Sequence, residues 1–576
     1  MISGPTCSCT GRAEDRRCST AKPGWRNRWE TETAAKPGHP AKPAGNETAT
    51  PSIALLVQRL LLSQLLGVSE VVDAIVSAKS KTGLFESSRA INAFVCIARR
   101  FASARFMLVS HTGPERIMRL RLLTSLLLLL SANVSGAQPN AANPYAPSPY
   151  VTLQHPGWSQ NAVLYQLNTR QFTAEGTFNA ARAQLPRLKD MGIGIVWLMP
   201  VHPIGVKHRK GTLGSPYAVK DYYGINPEFG TLDDLKAFVA EAHRLGLRVI
   251  LDWVANHTAW DNPLLEQHPD WYERDWQGHF RPTPWWDWSD IIDLDYRQPG
   301  LRKYMTEAMA WWVREADIDG FRCDVAGYVP LDFWENLRRE LDAIKPVFML
   351  AEVEQRDVHA RAFDATYAWS WNNTVHNIAQ GKTDATALFG FYSENESAWP
   401  HDAYRMTYTE NHDQNAWEGT AFERFGKALQ PAIVLSMLGE GVPLIHNGQE
   451  AGNEKRLAFF EKDPIAWRAH SLDGFFRKLI ALKHRLSALR NGKLGARMVP
   501  VVNSDPKAVF SFVRANADDG VLVALNFTGE AKIMRLIDGP FRGQYRDAFS
   551  DEVLRLDTNA SLHVDAWGHR VLLRQP

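Results

Sequence analysis

The sequence predicts an α/β fold, a (β/α)8 TIM barrel with a short loop-rich insertion and a C-terminal antiparallel β-sandwich. Three observations predict it. From Ala162 onward short apolar runs alternate with amphipathic stretches, as parallel strands do with crossover helices. Eight such runs occur before Leu489, and neither GxGxxG nor GxxxxGK[ST] follows any of them, which argues against a nucleotide-binding open sheet. Three of the runs end in an acidic residue, and in a barrel the C-terminal ends of the strands share one rim.

In chain order, Val163–Leu167 reads as a strand and Phe178–Met191 as a helix with apolar spacing at Ala181, Leu185 and Leu188. Ile195–Met199 is a second strand, stopped by Pro200; Leu232–Leu245 is a helix and Arg248–Asp252 a third strand. An aromatic-rich loop, 258–299, precedes the helix Leu301–Glu315, the strand Gly320–Asp324, the helix Leu331–Ile344 and the strand Val347–Glu352. Weaker runs at Ala365–Trp369, Tyr404–Thr409 and Pro443–His446 complete eight strands, and Leu472–Leu489 is the last barrel helix. The catalytic barrel is therefore expected over 161–490. In 495–576, β-branched and aromatic runs at Ala508–Arg514, Val521–Phe527 and Ile533–Leu536, separated by turn residues, predict the small β domain.

Lys+Arg at 65 against Asp+Glu at 63 leave a formal charge of +2, so nothing steers this chain toward nucleic acid or an anionic membrane, and a neutral substrate is expected. Of the five cysteines, Cys7, Cys9, Cys18 and Cys96 fall in the first hundred residues; Cys323 is left for the fold, which excludes a disulfide framework there. Met118 to Ala137 has the build of a secretory signal: Arg119 and Arg121, an apolar run from Leu122 to Leu130 too short to span a bilayer, and the small residues Ser135-Gly-Ala137. The expectation is that translation starts at Met118, that 1–117 is a spurious or disordered extension, and that 118–137 exports the protein to the periplasm or the extracellular space, with no stable membrane anchor after cleavage. Residues 138–160, rich in Pro, Asn, Ala and Ser, read as a loose linker.

Asp252, Asp324 and Glu352 close their strands, and the loop Glu410-Asn-His-Asp413 adds another carboxylate to the same rim. Gathering them costs several kcal/mol unless cations or hydrogen bonds offset it. Arg322, two residues before Asp324 and so on the same strand face, is the compensating cation. It is expected to keep Asp324 ionised, while the less polar setting of Glu352 raises its pKa. Carboxyls with diverging pKa values are what glycoside hydrolysis uses.

Asp252-Trp-Val-Ala-Asn-His257, Gly320-Phe-Arg-Cys-Asp324, Leu350-Ala-Glu352 and Glu410-Asn-His-Asp413, in that order and each at a strand end, resemble the four sequence regions of the α-amylase family of retaining α-glycoside hydrolases. The resemblance covers Ala162 to Leu489 and continues into the β domain. It implies Asp324 as nucleophile, Glu352 as general acid/base, standing about 5–5.5 Å from its partner in a retaining pair, and Asp413 as the residue that grips sugar hydroxyls in the transition state. It further implies Tyr217, His257, Arg322 and His412 as the substrate-binding set, Tyr217 stacking beneath the sugar and Arg322 partnering Asp324. A calcium ion with Asn256 among its ligands is implied too, and no organic cofactor. In the insertion, Trp260, Trp271, Tyr272, Trp276, Trp285, Trp286 and Trp288 present faces suited to pyranose rings or to a small core of the loop itself.

The sequence departs from the family at two places. Gly327-Tyr328 stands where many starch-cleaving members have Lys-His, and Gly214 where many exo-acting α-glucosidases have Asp, which favours endo-acting or maltodextrin-processing action. The expected function is therefore hydrolysis of α-1,4-glucosidic bonds in starch or maltodextrins. The alternatives are a transglycosylase or another α-glucoside hydrolase (neopullulanase-, sucrose- or trehalose-acting), or a catalytically inactive carbohydrate-binding homologue.

Overall fold

The structure, a computed structural model, describes residues 145–575. The expected extension 1–117 and signal 118–137 lie outside the described residues, as does the start of the linker. Eight strands close a parallel barrel: β1 (Leu164–Leu167), β2 (Ile195–Leu198), β3 (Arg248–Trp253), β6 (Gly320–Cys323), β7 (Phe348–Ala351), β8 (Ala365–Tyr367), β9 (Tyr404–Thr407) and β10 (Val442–His446). The strands β4 (His257–Ala259) and β5 (Ile291–Asp293) form an antiparallel hairpin at the base of the insertion.

Nearly every barrel-strand residue is buried, because helices cover the outside and side chains fill the inside. One face packs on the helices; the other, including Leu164, Trp197, Ile250, Leu350, Tyr367 and Met406, fills the barrel. That inward parity carries Gln166, Asp252, Arg322 and Glu352 into the topmost layer, since side chains alternate with period two. The apolar layers are thus the floor of the site.

Local sequence explains the helix limits. Leu232–Arg244 starts at a capping box between Thr231 and Asp234, and Pro299–Glu315 begins with a proline, where a missing N–H costs nothing. The stretch expected as one helix over Phe178–Met191 is two, Phe178–Arg182 and Leu185–Met191, since Pro186 has no N–H to continue the ladder and sits instead in the first turn of the second.

The end of the expected linker is docked, not loose. His155 Nδ1 bonds Asp364 Oδ1 at 2.7 Å, its Nε2 meets the carbonyl of Asp402 at 2.9 Å, and its ring stacks on Tyr404. Trp158, in the short helix Gly157–Asn161, packs against Phe348 at the other end of the barrel from the carboxylates. Proline spacing hid two side chains with partners to bury against.

After the helix Ser471–Arg485, antiparallel strands between Val499 and Arg574 form a six-stranded and a three-stranded sheet whose inner faces share a core that includes Val509, Leu522, Met534 and Leu572. This is the expected sandwich. Among the described residues no helix is long and apolar enough to cross a membrane.

Candidate active site

The two acidic residues following β6 and β7 are held by backbone bonds that prolong the sheet. The N–H of Asp324 donates to the carbonyl of Trp253 at 2.9 Å, and that of Glu352 to the carbonyl of Cys323 at 3.0 Å. Their side chains therefore keep the inward parity of their strands and meet above the floor.

Arg322 is the centre of this layer. Fully buried, it donates from Nη1 to Asp252 Oδ1 and to Asp324 Oδ1, 2.8 Å each, and its Nε donates to Tyr367 Oη at 3.2 Å. Its Nη2 lies 2.9 Å from Glu352 Oε2, but out of line for a hydrogen bond, so that contact is ionic. Rings of Trp197, Tyr217 and Tyr367 surround the guanidinium at 5.3 to 5.7 Å. This corrects its expected place among the substrate-binding residues: one layer below the rim and 0% exposed, Arg322 reaches a substrate only through the carboxylates it holds.

Asp324, Glu352 and Asp413 are each pushed up to about 7, by burial first. Arg322 opposes the shift in all three; neighbouring carboxylates reinforce it, and Glu352 and Asp324 stand close enough to share a hydrogen bond when one is protonated. Asp252, under the same guanidinium, rises to about 6. Asp324 therefore rises where the sequence suggested that Arg322 would keep it low: one cation divided among three carboxylates does not outweigh desolvation. Asp324 and Glu352 titrate as a pair. Hydrogen bonding decides which oxygen keeps the last proton. Asp324 accepts directly from Arg322, whereas Glu352 accepts from the backbone N–H of Val325 on Oε2 at 2.7 Å, leaving Oε1 to carry the acid proton. Asp413 is the most open of the three, its side chain 42% exposed, and contact with water weakens the effect of burial there.

The residues expected to bind substrate follow. Tyr217 Oη donates to Asp252 Oδ2 at 3.1 Å and lies 2.7 Å from His412 Nε2, its ring stacked at 22° to that imidazole. His412 Nε2 is 3.3 Å from Asp413 Oδ1. His257 is buried in β4 with its ring 6.0 Å from Trp288, and burial holds its pKa down to about 4, so it is a neutral donor or acceptor. The structure therefore brings together Asp324, Glu352, Asp413, Tyr217 and His412, with His257 beside the insertion.

Asn256, the implied calcium ligand, directly precedes β4. Its Nδ2 donates to Asp293 Oδ1 at 3.0 Å and faces His257 Nδ1, and among the described residues no group of three or more His, Cys, Asp or Glu side chains is placed to hold a metal. Calcium binds through oxygen, so Asn256 Oδ1 is the atom that would hold it.

Aromatic rings flank the site. Trp271 and Tyr272 are buried as the insertion's own core, whereas Trp286, 56% exposed, stacks on Trp288 at 5.1 Å and bonds through Nε1 to Tyr328 Oη at 3.1 Å. Tyr328 ends the short turn Ala326–Tyr328 just past Asp324. Phe459 stacks at 12° to Tyr217, with Trp417 behind it. Sequence reasoning put Asp252 on the rim without a role and left Gln166, Trp197 and Phe459 outside the site. Inward strand parity could have found Gln166 and Trp197; no signal pointed to Phe459, which comes from an irregular loop.

A parallel barrel with paired carboxyls at neighbouring strand ends and a cation buried beneath them is the arrangement of a barrel enzyme with its active site at the C-terminal rim. The model of the family "Alpha amylase, catalytic domain" matches residues 159–471. A maltogenic α-amylase of Thermotoga neapolitana, AmyB, superposes with a TM-score of 0.67 at 33% identity over 72% of this chain and 99% of that one. An α-amylase of Lactobacillus plantarum gives 0.65 at 30% identity over 73% and 100%. By sequence, α-amylase MalA of Haloarcula japonica is 28% identical over 442 residues, 72% of this chain and 62% of that protein, and a cyclomaltodextrinase of a Bacillus species 25% identical over 69% and 78%. The chain belongs to the α-amylase family of glycoside hydrolases.

Proposed function

We propose that the protein hydrolyses α-1,4-glucosidic bonds of starch and maltodextrins with retention of anomeric configuration. The observation that carries this is the shared guanidinium: Arg322 contacts Asp324 and Glu352 at 2.8 and 2.9 Å, so both carboxyls flank one small volume. Asp324 attacks the anomeric carbon as Glu352 passes its proton to the departing oxygen, giving a β-glycosyl-enzyme. Glu352, now a carboxylate, takes a proton from water, which releases the sugar from Asp324 as the α-anomer. Asp413, more open than either, bonds the sugar hydroxyls. The names of the similar proteins, α-amylases and a cyclomaltodextrinase, support an α-glucan substrate. The segment 118–137 supports export to the periplasm or beyond.

Reducing sugar released from soluble starch tests the activity, with Asp324→Asn and Glu352→Gln abolishing it and the first-formed anomer read by NMR. A wild-type enzyme inactive on every α-glucan, or a β-anomer formed first, defeats the reading. The exposed Trp286–Trp288–Tyr328 cluster favours a second reading, transfer of the glycosyl group to a bound sugar instead of water. Product chromatography with maltoheptaose separates the two.

A further inference from the structure

Gln166, the third residue of β1, is fully buried beneath His412 and touches it twice. The backbone N–H of His412 lies 3.2 Å from Gln166 Oε1, and Gln166 Nε2 lies 2.6 Å from His412 Nδ1. A backbone N–H can only donate, so the oxygen of the Gln166 amide must face it. The amide nitrogen is then the group facing Nδ1, and because it too can only donate, Nδ1 must be an unprotonated acceptor. An imidazole without a proton on Nδ1 is neutral and carries its proton on Nε2.

The direction of the chain beyond follows. His412 Nε2–H points at Tyr217 Oη, 2.7 Å away, with Asp413 Oδ1 at 3.3 Å. With that bond donated to it, Tyr217 spends its own proton on Asp252 Oδ2, which also accepts from Trp197 Nε1, while Asp252 Oδ1 accepts from Arg322. From an amide fixed in a barrel strand every donor runs one way as far as Asp252, the carboxylate that accepts from the opposite side a hydrogen bond of the cation that also holds Asp324.

We propose that Gln166 is a positioning residue that sets the tautomer of His412, and through it the aim of Tyr217 and Asp252 beneath the bound sugar. The charged and titratable groups facing His412 are Arg322 and His446, which both disfavour an imidazolium, together with Tyr217 and Asp413. Burial adds to them, so the ring stays neutral.

The spectroscopic half of the test is independent of the hydrolase reading above, and the kinetic half rests on it. With [15N]histidine, ring-nitrogen NMR of the wild-type protein, its His412 signals identified by their loss in His412→Asn, should show a bare Nδ1 and a protonated Nε2 across pH 5–8. In Gln166→Glu both side-chain oxygens accept, so Nδ1 gains a proton. The kcat on maltotriose should then fall about 10–100-fold with a smaller change in KM, the range for losing a residue that orients a histidine, and the pH profile should gain an ionisation. A wild-type Nδ1 that is protonated overturns the proposal. So does a folded Gln166→Glu protein, checked by thermal unfolding, that keeps the wild-type tautomer, kcat and pH profile. Should that variant not fold, the wild-type spectrum decides.

Discussion

Asp252 and Asp324 accept hydrogen bonds from one atom, Arg322 Nη1, at 2.8 Å each. Asp252 is thus the second anchor of the guanidinium that holds Asp324, the nucleophile of the proposed mechanism, and Arg322→Lys tests its fork apart from its charge. In Arg322→Lys a single ammonium replaces a planar group reaching three carboxylates and Tyr367. The kcat should fall about 100-fold or more, the usual cost of a lost preorganised donor. Its acid limb should move to higher pH, because a cation lowers a carboxyl pKa and this one would touch Asp324 less well. A pH–kcat/KM profile measures both; an unmoved acid limb would show that the guanidinium does not hold the nucleophile's proton equilibrium.

The raised carboxyls also predict how stability follows pH. Glu352 is pushed from 4.5 to about 7, so the folded protein binds its proton more tightly than the unfolded chain does. That contributes stability fully present below about pH 4.5 and lost as pH rises through about 7. Glu352→Gln cannot ionise and escapes the loss. Relative to wild type it should be more stable by roughly 1–3 kcal/mol at pH 8, with the difference vanishing near pH 4. Urea unfolding at the two pH values is the measurement.

Much of the fold was legible because parallel barrel strands, buried on both faces, read as unbroken apolar runs: β2, β3, β6 and β7 each lie within a residue or two of their expected limits. The helix Leu429–Leu438 was not, since it is buried all round and shows no stripe. The site divides similarly. Asp324, Glu352 and Asp413 sit in motifs at strand ends, whereas Gln166 is a lone polar residue in an apolar strand whose partner lies 246 residues away. The direction of the Asp324 shift was missed for a physical reason: local sequence shows Arg322 beside it but not that the same guanidinium also serves Asp252 and Glu352.

The insertion's exposed rings should act on chain length. Trp286 and Trp288 form one stacked face, tethered by Tyr328 to the turn beside Val325, whose N–H holds Glu352, so in the proposed mechanism the face would border the departing half of the substrate. In Trp286→Ala the KM for maltoheptaose should rise about 3–10-fold, the worth of one aromatic contact. Maltotriose should respond less, and Trp286→Phe should recover most of the loss. Equal effects on both substrates would place the face away from the bound chain.

Gly320 opens β6 with φ +146°, and a Cβ there would lie 1.9 Å from the carbonyl oxygen of Phe348 on β7. No side-chain motion relieves a clash with backbone, so in Gly320→Ala the strand carrying Arg322 and Asp324 must move away from the strand carrying Glu352. Strain at a left-handed position adds to the overpacking, and stability should fall by about 3 kcal/mol or more. Activity should fall further than the folded fraction does, because the shift separates nucleophile from acid, and a displacement of about 1 Å costs on the order of 100-fold. Measuring kcat per folded molecule, well below the unfolding temperature, isolates that second effect. A Gly320→Ala enzyme with wild-type kcat would mean that the β6–β7 spacing does not set the distance between the two carboxyls.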